Sequence, residues 1–134
     1  MTTIQTTNAA LAMPGKALNT VLWTLQVLVA LAFVAAGSGK LLGSPDMIAL
    51  FDAIGIGQWF RYVTGSLELV GALLLIVPRK TALGAVLLAC VMAGAVVAHL
   101  TVLPTPPIAP LVLFALTTLI AWGRRSELAG LLGS

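Results

Sequence analysis

The chain has 134 residues, of which 60% are hydrophobic and only 8% are charged, and its formal net charge is +3. Soluble domains carry about 25% charged residues, so this chain has too little polar surface to fold in water and its surroundings must be largely lipid. The only adjacent basic residues are Arg79-Lys80 and Arg124-Arg125, so we expect no binding to nucleic acid.

Four segments are long enough to cross a bilayer core of roughly 30 Å at a rise of 1.5 Å per residue. They run over about 17–42, 58–77, 81–101 and 106–123. Glycine and proline residues separate them, and no segment alternates as a strand would. Because backbone in lipid must satisfy its own hydrogen bonds, the sequence predicts an all-α integral membrane protein, a four-helix bundle that forms one domain over 1–134.

The first segment is expected to be retained as a membrane span. A signal peptide begins with basic residues and has an apolar core of about 7–15 residues. Here the first 15 residues contain no lysine or arginine, and the apolar-rich run from Ala17 to Ala36 is 20 residues long.

The stretch SPDMIALFDAIG predicts a short helix over about 45–54, between the first two spans. Ser44 can cap this helix, Pro45 suits its first position, and Asp46 favours the positive end of its dipole. Its apolar residues recur at helical spacing, and they are Met47, Leu50, Phe51 and Ile54. We expect this helix to lie in the membrane interface as a lid across the outer mouth of the bundle.

Basic residues are divided unequally between the two sides of a four-span chain. The side that holds both termini and the 78–80 loop carries Lys16, Arg79, Lys80, Arg124 and Arg125. The other side carries only Lys40 and Arg61, together with Asp46 and Asp52. The positive-inside rule therefore predicts that both termini are cytoplasmic.

Five ionisable residues lie in or near the outer half of the predicted bundle: Lys40, Asp52, Arg61, Glu68 and His99. A charge at mid-membrane costs about 2.5–3.5 kcal/mol on insertion scales, so such residues face the protein interior and are paired or neutral. Glu68 lies about ten residues into its span and so roughly 15 Å deep. The inner half has no comparable set away from its loops.

Small residues surround Glu68 at helical spacing, in a stripe formed by Arg61, Gly65, Glu68, Ala72 and Leu75 with Gly71 beside it. Small residues let a neighbouring membrane helix approach closely, so we expect Glu68 to be buried at a tight helix contact. Candidate strips for that contact are Ala85-x-x-x-Ala89-x-x-x-Ala93 and Gly39-x-x-x-Gly43. Such strips serve contacts within one bundle and between copies equally well, so homo-oligomers are compatible with the sequence.

The partner of Glu68 is left open by the sequence. Its carboxyl group could pair with Lys40, contact His99, or be neutral, because burial in a low dielectric disfavours the charged form. Arg61 is nearer in depth to the predicted lid than Glu68 is, so an Arg61–Asp52 pair that latches the lid is expected.

One cysteine, Cys90, and one histidine, His99, limit the redox chemistry that the chain could carry by itself. No CxxC pair, disulfide framework or cluster of metal ligands is present in the sequence. This argues against a thiol-relay enzyme and against a haem held between two histidines. We expect no metal site and no cofactor belonging to the chain, and we expect Cys90 to be a packing residue.

Four elements occur in a recognisable order: Gly37-Ser-Gly39-Lys40-Leu41, Phe51-Asp-Ala-Ile-Gly55, Gly65-Ser-Leu-Glu68-Leu-Val-Gly71 and His99. In their order and spacing the chain resembles the DoxX-like family of small membrane proteins, over about residues 17–123. The resemblance implies a four-span bundle in the bacterial plasma membrane. It also implies an association with quinone-linked oxidoreductases, among them a thiosulfate:quinone oxidoreductase, and with membrane redox-stress complexes, whereas distant eukaryotic relatives resemble assembly chaperones.

Three functions are compatible with these observations. In the first, the bundle binds a quinone or another polyprenyl lipid beneath the lid, and a redox-complex partner supplies electrons. Glu68 and His99 would contact the polar head and move protons, Lys40 would hold Glu68 ionised, and Arg61, Asp52 and Gly65 would complete the ligand site. In the second, the protein is an assembly or interaction subunit whose polar cluster only fixes helix register. The third is acid–base chemistry on a lipophilic substrate, such as an isomerisation or an epoxide opening.

The predicted topology can be tested with single cysteines. We expect a cysteine at Ser44 to react with an impermeant thiol reagent added outside the cell, and a cysteine at Thr81 to be protected. The reverse labelling pattern would overturn the predicted orientation.

Overall fold

The computed structural model describes residues 15–133, which form six α-helices and no β-strand. The helices are α1 (Lys16–Leu42), α2 (Pro45–Ile54), α3 (Trp59–Ile76), α4 (Thr81–Thr101), α5 (Ile108–Gly123) and α6 (Arg125–Leu132). The first five match the predicted segments to within two residues at each end. Helix α6, which follows α5 after Arg124, is not among the segments predicted from the sequence.

Three of these helices, α1, α3 and α4, have the length and hydropathy needed to cross a membrane. Helix α5 has only 16 residues and meets α6 at a bend of 60°, so the two count as one further span only if they are taken together. Large apolar side chains such as Leu28, Leu31 and Leu73 are about 60% exposed, as suits surfaces that face lipid. The protein is therefore an all-helical membrane protein with three or four candidate spans among residues 15–133.

The long helices pack in the order α1, α3, α4 and α5, and α5 returns to contact α1. Each of the four contributes one large side chain that is completely buried at the centre, and these are Phe33, Leu75, Leu88 and Ile120. The packing defines two ends. We call one the α2 end, where the end of α1 meets α2 and the start of α3. The other is the basic end, where Asn19, Thr81 and Arg124 lie together.

The stripe of small residues predicted around Glu68 is confirmed as the buried face of α3. A Cβ atom added to Gly65 would lie 3.0 Å from the carbonyl oxygen of Gly37 in α1. At the separate contact between α3 and α4, a Cβ atom added to Gly84 of α4 would lie 2.9 Å from the carbonyl oxygen of Gly71 in α3. Helix α3 therefore approaches both α1 and α4 at backbone distance, with glycine on each side of each contact.

The predicted partner strips were wrong in their register. Ala85 is fully buried, but Ala93 is exposed, because α4 turns the larger Leu88 and Met92 inward to fill the centre between the helices. In α1 the close contact is made by Gly37. A Cβ atom added to Gly39 would have only the side-chain oxygen of Ser44 within 4 Å, at 3.8 Å. Gly43 instead ends α1 with a left-handed φ of 71°, a conformation that glycine adopts without strain.

Helix α2 begins as the sequence predicts, with Pro45 at its start and Asp46 in its first turn. Ser44 occupies the N-cap position, but its side chain makes no capping hydrogen bond. The helix packs against α3 through the buried Phe51, whose ring meets Phe60 edge-on at 5.9 Å between centroids. It therefore covers the α2 end of the longer helices.

Gly37→Ala tests the close contact between α1 and α3. The added methyl group would lie 2.9 Å from a backbone oxygen, which cannot move aside as a flexible side chain can, so we expect a loss of about 1–3 kcal/mol of stability. Gly39→Ala, two residues along the same helix, is the matched control and should not lower stability. Thermal unfolding in detergent measures both, and equal melting temperatures would show that the contact does not matter.

Candidate functional site

A cavity of about 590 Å³ lies at the α2 end and is bounded by α1, α2, α3, α4 and the start of α5. Small-molecule sites typically have volumes of about 300–1,000 Å³. Most of its wall is apolar, including Phe33, Met47, Leu67, Val91 and Leu113. Its polar lining side chains are Lys40, Thr64, Glu68 and His99. The cavity thus combines a long apolar wall with a small number of polar groups.

Lys40 and Glu68 form an ion pair in the wall of this cavity. The Lys40 Nζ donates a hydrogen bond to the Glu68 Oε2 over 3.1 Å, and the Glu68 side chain is only 1% exposed. The pair is possible because Gly37 and Gly65 bring α1 and α3 together just beneath it. The sequence left open whether Glu68 pairs with Lys40, contacts His99 or is neutral, and the structure shows the contact with Lys40.

His99 lines the same cavity from the last turn of α4. Its Nδ1 lies 2.8 Å from the carbonyl oxygen of Ala95, one turn earlier. A carbonyl oxygen only accepts hydrogen bonds, so Nδ1 carries the proton and Nε2 is the acceptor of the neutral ring. No residue among 15–133 forms a hydrogen bond with Nε2, and His99 does not bond to Glu68. The imidazole and the ion pair are therefore two separate polar groups of one cavity.

Arg61 and Asp52 are linked, but not by the direct ion pair that the sequence suggests. The Arg61 Nε donates to the Gln58 Oε1, and the Gln58 Nε2 donates to the Asp52 Oδ1, each over 2.7 Å. The Arg61 Nη1 donates to the Lys40 carbonyl oxygen, which lies in the last turn of α1 and also accepts the backbone N–H of the C-cap residue Gly43. Gln58 can bridge the two charged residues because its amide both donates and accepts.

The bridge through Gln58 ties together α2, the start of α3 and the end of α1. Neither Arg61 nor Asp52 lines the cavity. Gly65 does not line it either, and lies at the helix contact that holds Lys40 beside Glu68. Of the six predicted site residues, the cavity brings together Lys40, Glu68 and His99. The other three lie in the structure around it.

Cys90, which the sequence analysis expects to be a packing residue, is instead exposed and lines the cavity. The sequence carries no signal for this position, because an apolar run on α4 does not show which face turns to the cavity.

A second buried polar group lies at the basic end, where the sequence analysis expects none. The Gln26 Nε2 donates to the Leu75 carbonyl oxygen over 2.9 Å, and the Arg124 Nε donates to the Gln26 Oε1 over 2.8 Å. The Arg124 Nη1 donates to the Asn19 Oδ1, also over 2.8 Å. Gln26 is completely buried and Arg124 is 4% exposed. Asn19 and Gln26, seven residues apart on one face of α1, are the sequence signal that could have revealed this group.

Helix α6 contributes to the same end through Glu127. The Glu127 Oε2 accepts a hydrogen bond from the backbone N–H of Ala82 over 2.8 Å. The N–H groups in the first turn of a helix have no helical partners, so this carboxylate from α6 caps the start of α4.

The fold and composition define a small helical membrane protein, and its family follows from comparison. The DoxX-like family model matches residues 24–121, a range that contains Lys40, Glu68 and His99. The chain therefore belongs to the DoxX-like family. No curated protein and no solved structure matches it.

Lys40→Met tests how strongly the ion pair holds the helices together. Removing one partner leaves a buried carboxylate without compensation, which costs about 3–5 kcal/mol, whereas replacing both partners with apolar residues costs much less. We therefore expect Lys40→Met to lower the free energy of unfolding in detergent more than the double variant Lys40→Met/Glu68→Leu does. A double variant less stable than the single one would contradict this account of the pair.

Proposed function

We propose that this protein binds a lipophilic molecule with a polar head group in the cavity beneath α2, and that its ligand is a quinone or another polyprenyl lipid. The observation that carries the proposal is the composition of the cavity wall. An apolar space of about 590 Å³ is bordered by one buried ion pair and one imidazole with a free nitrogen among the described residues. Such a wall suits an amphipathic ligand better than a wholly polar or wholly apolar one.

The polar side chains would serve the head group in complementary ways. The ammonium group of Lys40 has three donors, of which Glu68 uses one, so it can also donate to a ring carbonyl oxygen. The His99 Nε2, which has no partner among residues 15–133, would accept a hydrogen bond from a hydroxyl group of the reduced ring. The Glu68 carboxyl group, which is paired with Lys40, would accept a proton within the same cavity. A partner subunit of a membrane redox complex would supply or remove the electrons.

The membrane arrangement proposed with this function has four spans, of which the last runs over about 106–123 and contains α5. Helix α2 would lie in the outer interface as a lid, and both termini would be cytoplasmic, in the plasma membrane of a bacterium. Two features support this arrangement. The buried side chain of Phe51 holds α2 over the cavity. Five of the seven basic residues lie near the opposite end, the end that the positive-inside rule assigns to the cytoplasm.

The structure sharpens the labelling experiment for this topology. Thr81 is 1% exposed, so a cysteine there would be protected on either side of the membrane. Asp46 and Lys80 are both exposed and lie at opposite ends. In a Cys90→Ala background we expect a cysteine at Asp46 to react with the impermeant reagent in intact cells, and a cysteine at Lys80 to react only after the membrane is opened.

One observation favours a second candidate, a non-enzymatic assembly subunit. The Lys40–Glu68 pair lies at the closest contact of α1 and α3, where it could act only to fix the helices in register. In that case the cavity would need no ligand, and removal of the Glu68 charge would affect partner association rather than binding of a lipophilic molecule.

Glu68→Gln separates the two candidates, with Cys90 as a reporter inside the cavity. The probe is decylubiquinone, whose fully substituted ring does not alkylate thiols. We expect it to slow the reaction of Cys90 with N-ethylmaleimide in the purified wild type. The substituted amide keeps an acceptor for Lys40, so the variant should fold but should bind the quinone about tenfold more weakly, which corresponds to about 1.4 kcal/mol.

Asp46→Asn is the matched control, because it removes an exposed carboxylate of α2 that does not line the cavity. It should keep the protection seen in the wild type. Absence of protection in the wild type, or equal protection in the Glu68→Gln variant, would refute the proposed ligand site.

A further inference from the structure

A second cavity, of about 1110 Å³, lies at the basic end between the start of α1, the turn that joins α3 to α4, and α6. Three basic side chains line it, Arg79, Lys80 and Arg124, against one carboxylate, Glu127. The proposed quinone site lies at the other end of the helices and uses none of these residues. The proposed quinone site therefore does not account for the excess of basic side chains in this second cavity.

Arg124 is the central feature of this cavity, because it is buried and incompletely bonded. Its Nε and Nη1 donate to Gln26 and Asn19, which hold the guanidinium group in place. Its Nη2 is buried and has no hydrogen-bond partner among residues 15–133. A buried donor of this kind normally has an acceptor, since burial without one is costly, and more so for a charged group.

Within the part of the chain that the structure describes, no carboxylate lies within 4.0 Å of the Arg124 guanidinium group, and Glu127 acts on it only across a longer distance. The only ion pair within 4.0 Å there is Lys40–Glu68. Glu127 caps α4 through the N–H of Ala82. Residues 1–14 contain no aspartate or glutamate. An acceptor with negative charge from outside the protein would satisfy Nη2 and balance the three basic side chains.

Two further side chains suit the membrane surface at this cavity. Trp23 lines it, and its ring centre lies 5.7 Å from the Arg124 guanidinium carbon. Tryptophan is enriched at the level of lipid head groups. Arg79 lies in the turn at a left-handed φ of 69°, where glycine would be less strained. A basic side chain therefore lies at the rim of the cavity, at a position whose backbone conformation would suit glycine better.

We propose that this cavity binds the phosphate group of an anionic phospholipid, with Arg124 as its buried contact and with Arg79 and Lys80 at its rim. Guanidinium groups donate paired hydrogen bonds to phosphate oxygens, and lysine adds a point charge. Basic pockets between membrane helices are known sites for anionic lipid head groups. The inference is independent of the quinone site and extends the protein's function to recognition of a particular class of lipid.

The test measures the thermal stability of the delipidated protein in neutral detergent as lipid is added. We expect phosphatidylglycerol to raise the melting temperature at lower concentrations than phosphatidylcholine does. The double variant Arg79→Gly/Lys80→Gln should need at least about tenfold more phosphatidylglycerol for the same shift, because it loses two charged contacts. Glycine suits the left-handed turn, so this variant should fold as well as the wild type.

Arg125→Gln is the matched control. Arg125 lies at the same end, but it bonds to the carbonyl oxygen of Trp122 and stacks on that ring at 4.2 Å, away from the cavity. It should leave the response to phosphatidylglycerol unchanged. An equal loss in this variant would show general attraction to an anionic surface and would overturn the proposal.

Inorganic phosphate at the same concentrations separates the two sources of a phosphate group. We expect it to give no comparable shift, because it lacks acyl chains to lie along the apolar helices beside the cavity. A shift as large as that with phosphatidylglycerol would overturn lipid binding in favour of a soluble anion. Identical shifts in melting temperature with phosphatidylglycerol and phosphatidylcholine would also overturn the proposal, because Arg124 would then have only a structural role.

Discussion

The structure depends on one constraint, which is that a carboxylate deep in a membrane helix must be neutralised by the protein. Glu68 meets this constraint because α1 and α3 touch at Gly37 and Gly65, so that Lys40 can reach it over 3.1 Å. A Cβ atom at either glycine would lie within 3.0 Å of a backbone oxygen of the other helix, so the two helices would have to shift. The same contact fixes the depth of Lys40 and hence the place where the cavity wall becomes polar. Packing and site chemistry are therefore set by the same pair of small residues.

The polar groups at the α2 end form a connected layer rather than isolated pairs. Arg61 bonds to the Lys40 carbonyl oxygen and to Gln58, and Gln58 bonds to Asp52 of α2. The position of α2 over the cavity is thus tied to the helix end that carries Lys40. Movement of α2 would therefore change the surroundings of the ion pair.

The basic end is organised by the same principle with different residues. Gln26 connects three helices, since it bonds to the end of α3 and to Arg124 after α5 while belonging to α1. Between the two polar layers the centre is filled by Phe33, Leu75, Leu88 and Ile120. The buried polar side chains of both layers are hydrogen-bonded, as they must be where unsatisfied polar groups are costly in lipid.

Hydrophobic length and turn residues were enough to determine the all-helical class, five of the six helices, the buried face of α3 and the inward position of Glu68, because these depend on local periodicity and on the cost of charge in lipid. The sequence also singled out Lys40, Glu68 and His99, which the cavity brings together. It did not determine the partner of Glu68, the bridge through Gln58, the inward face of α4 or the network around Gln26 and Arg124. Each of these depends on how helices rotate and approach one another, which is decided by packing between residues far apart in the chain. Only the tertiary structure could show that Arg124, at the end of a span and next to another arginine, is a buried residue rather than a surface cation.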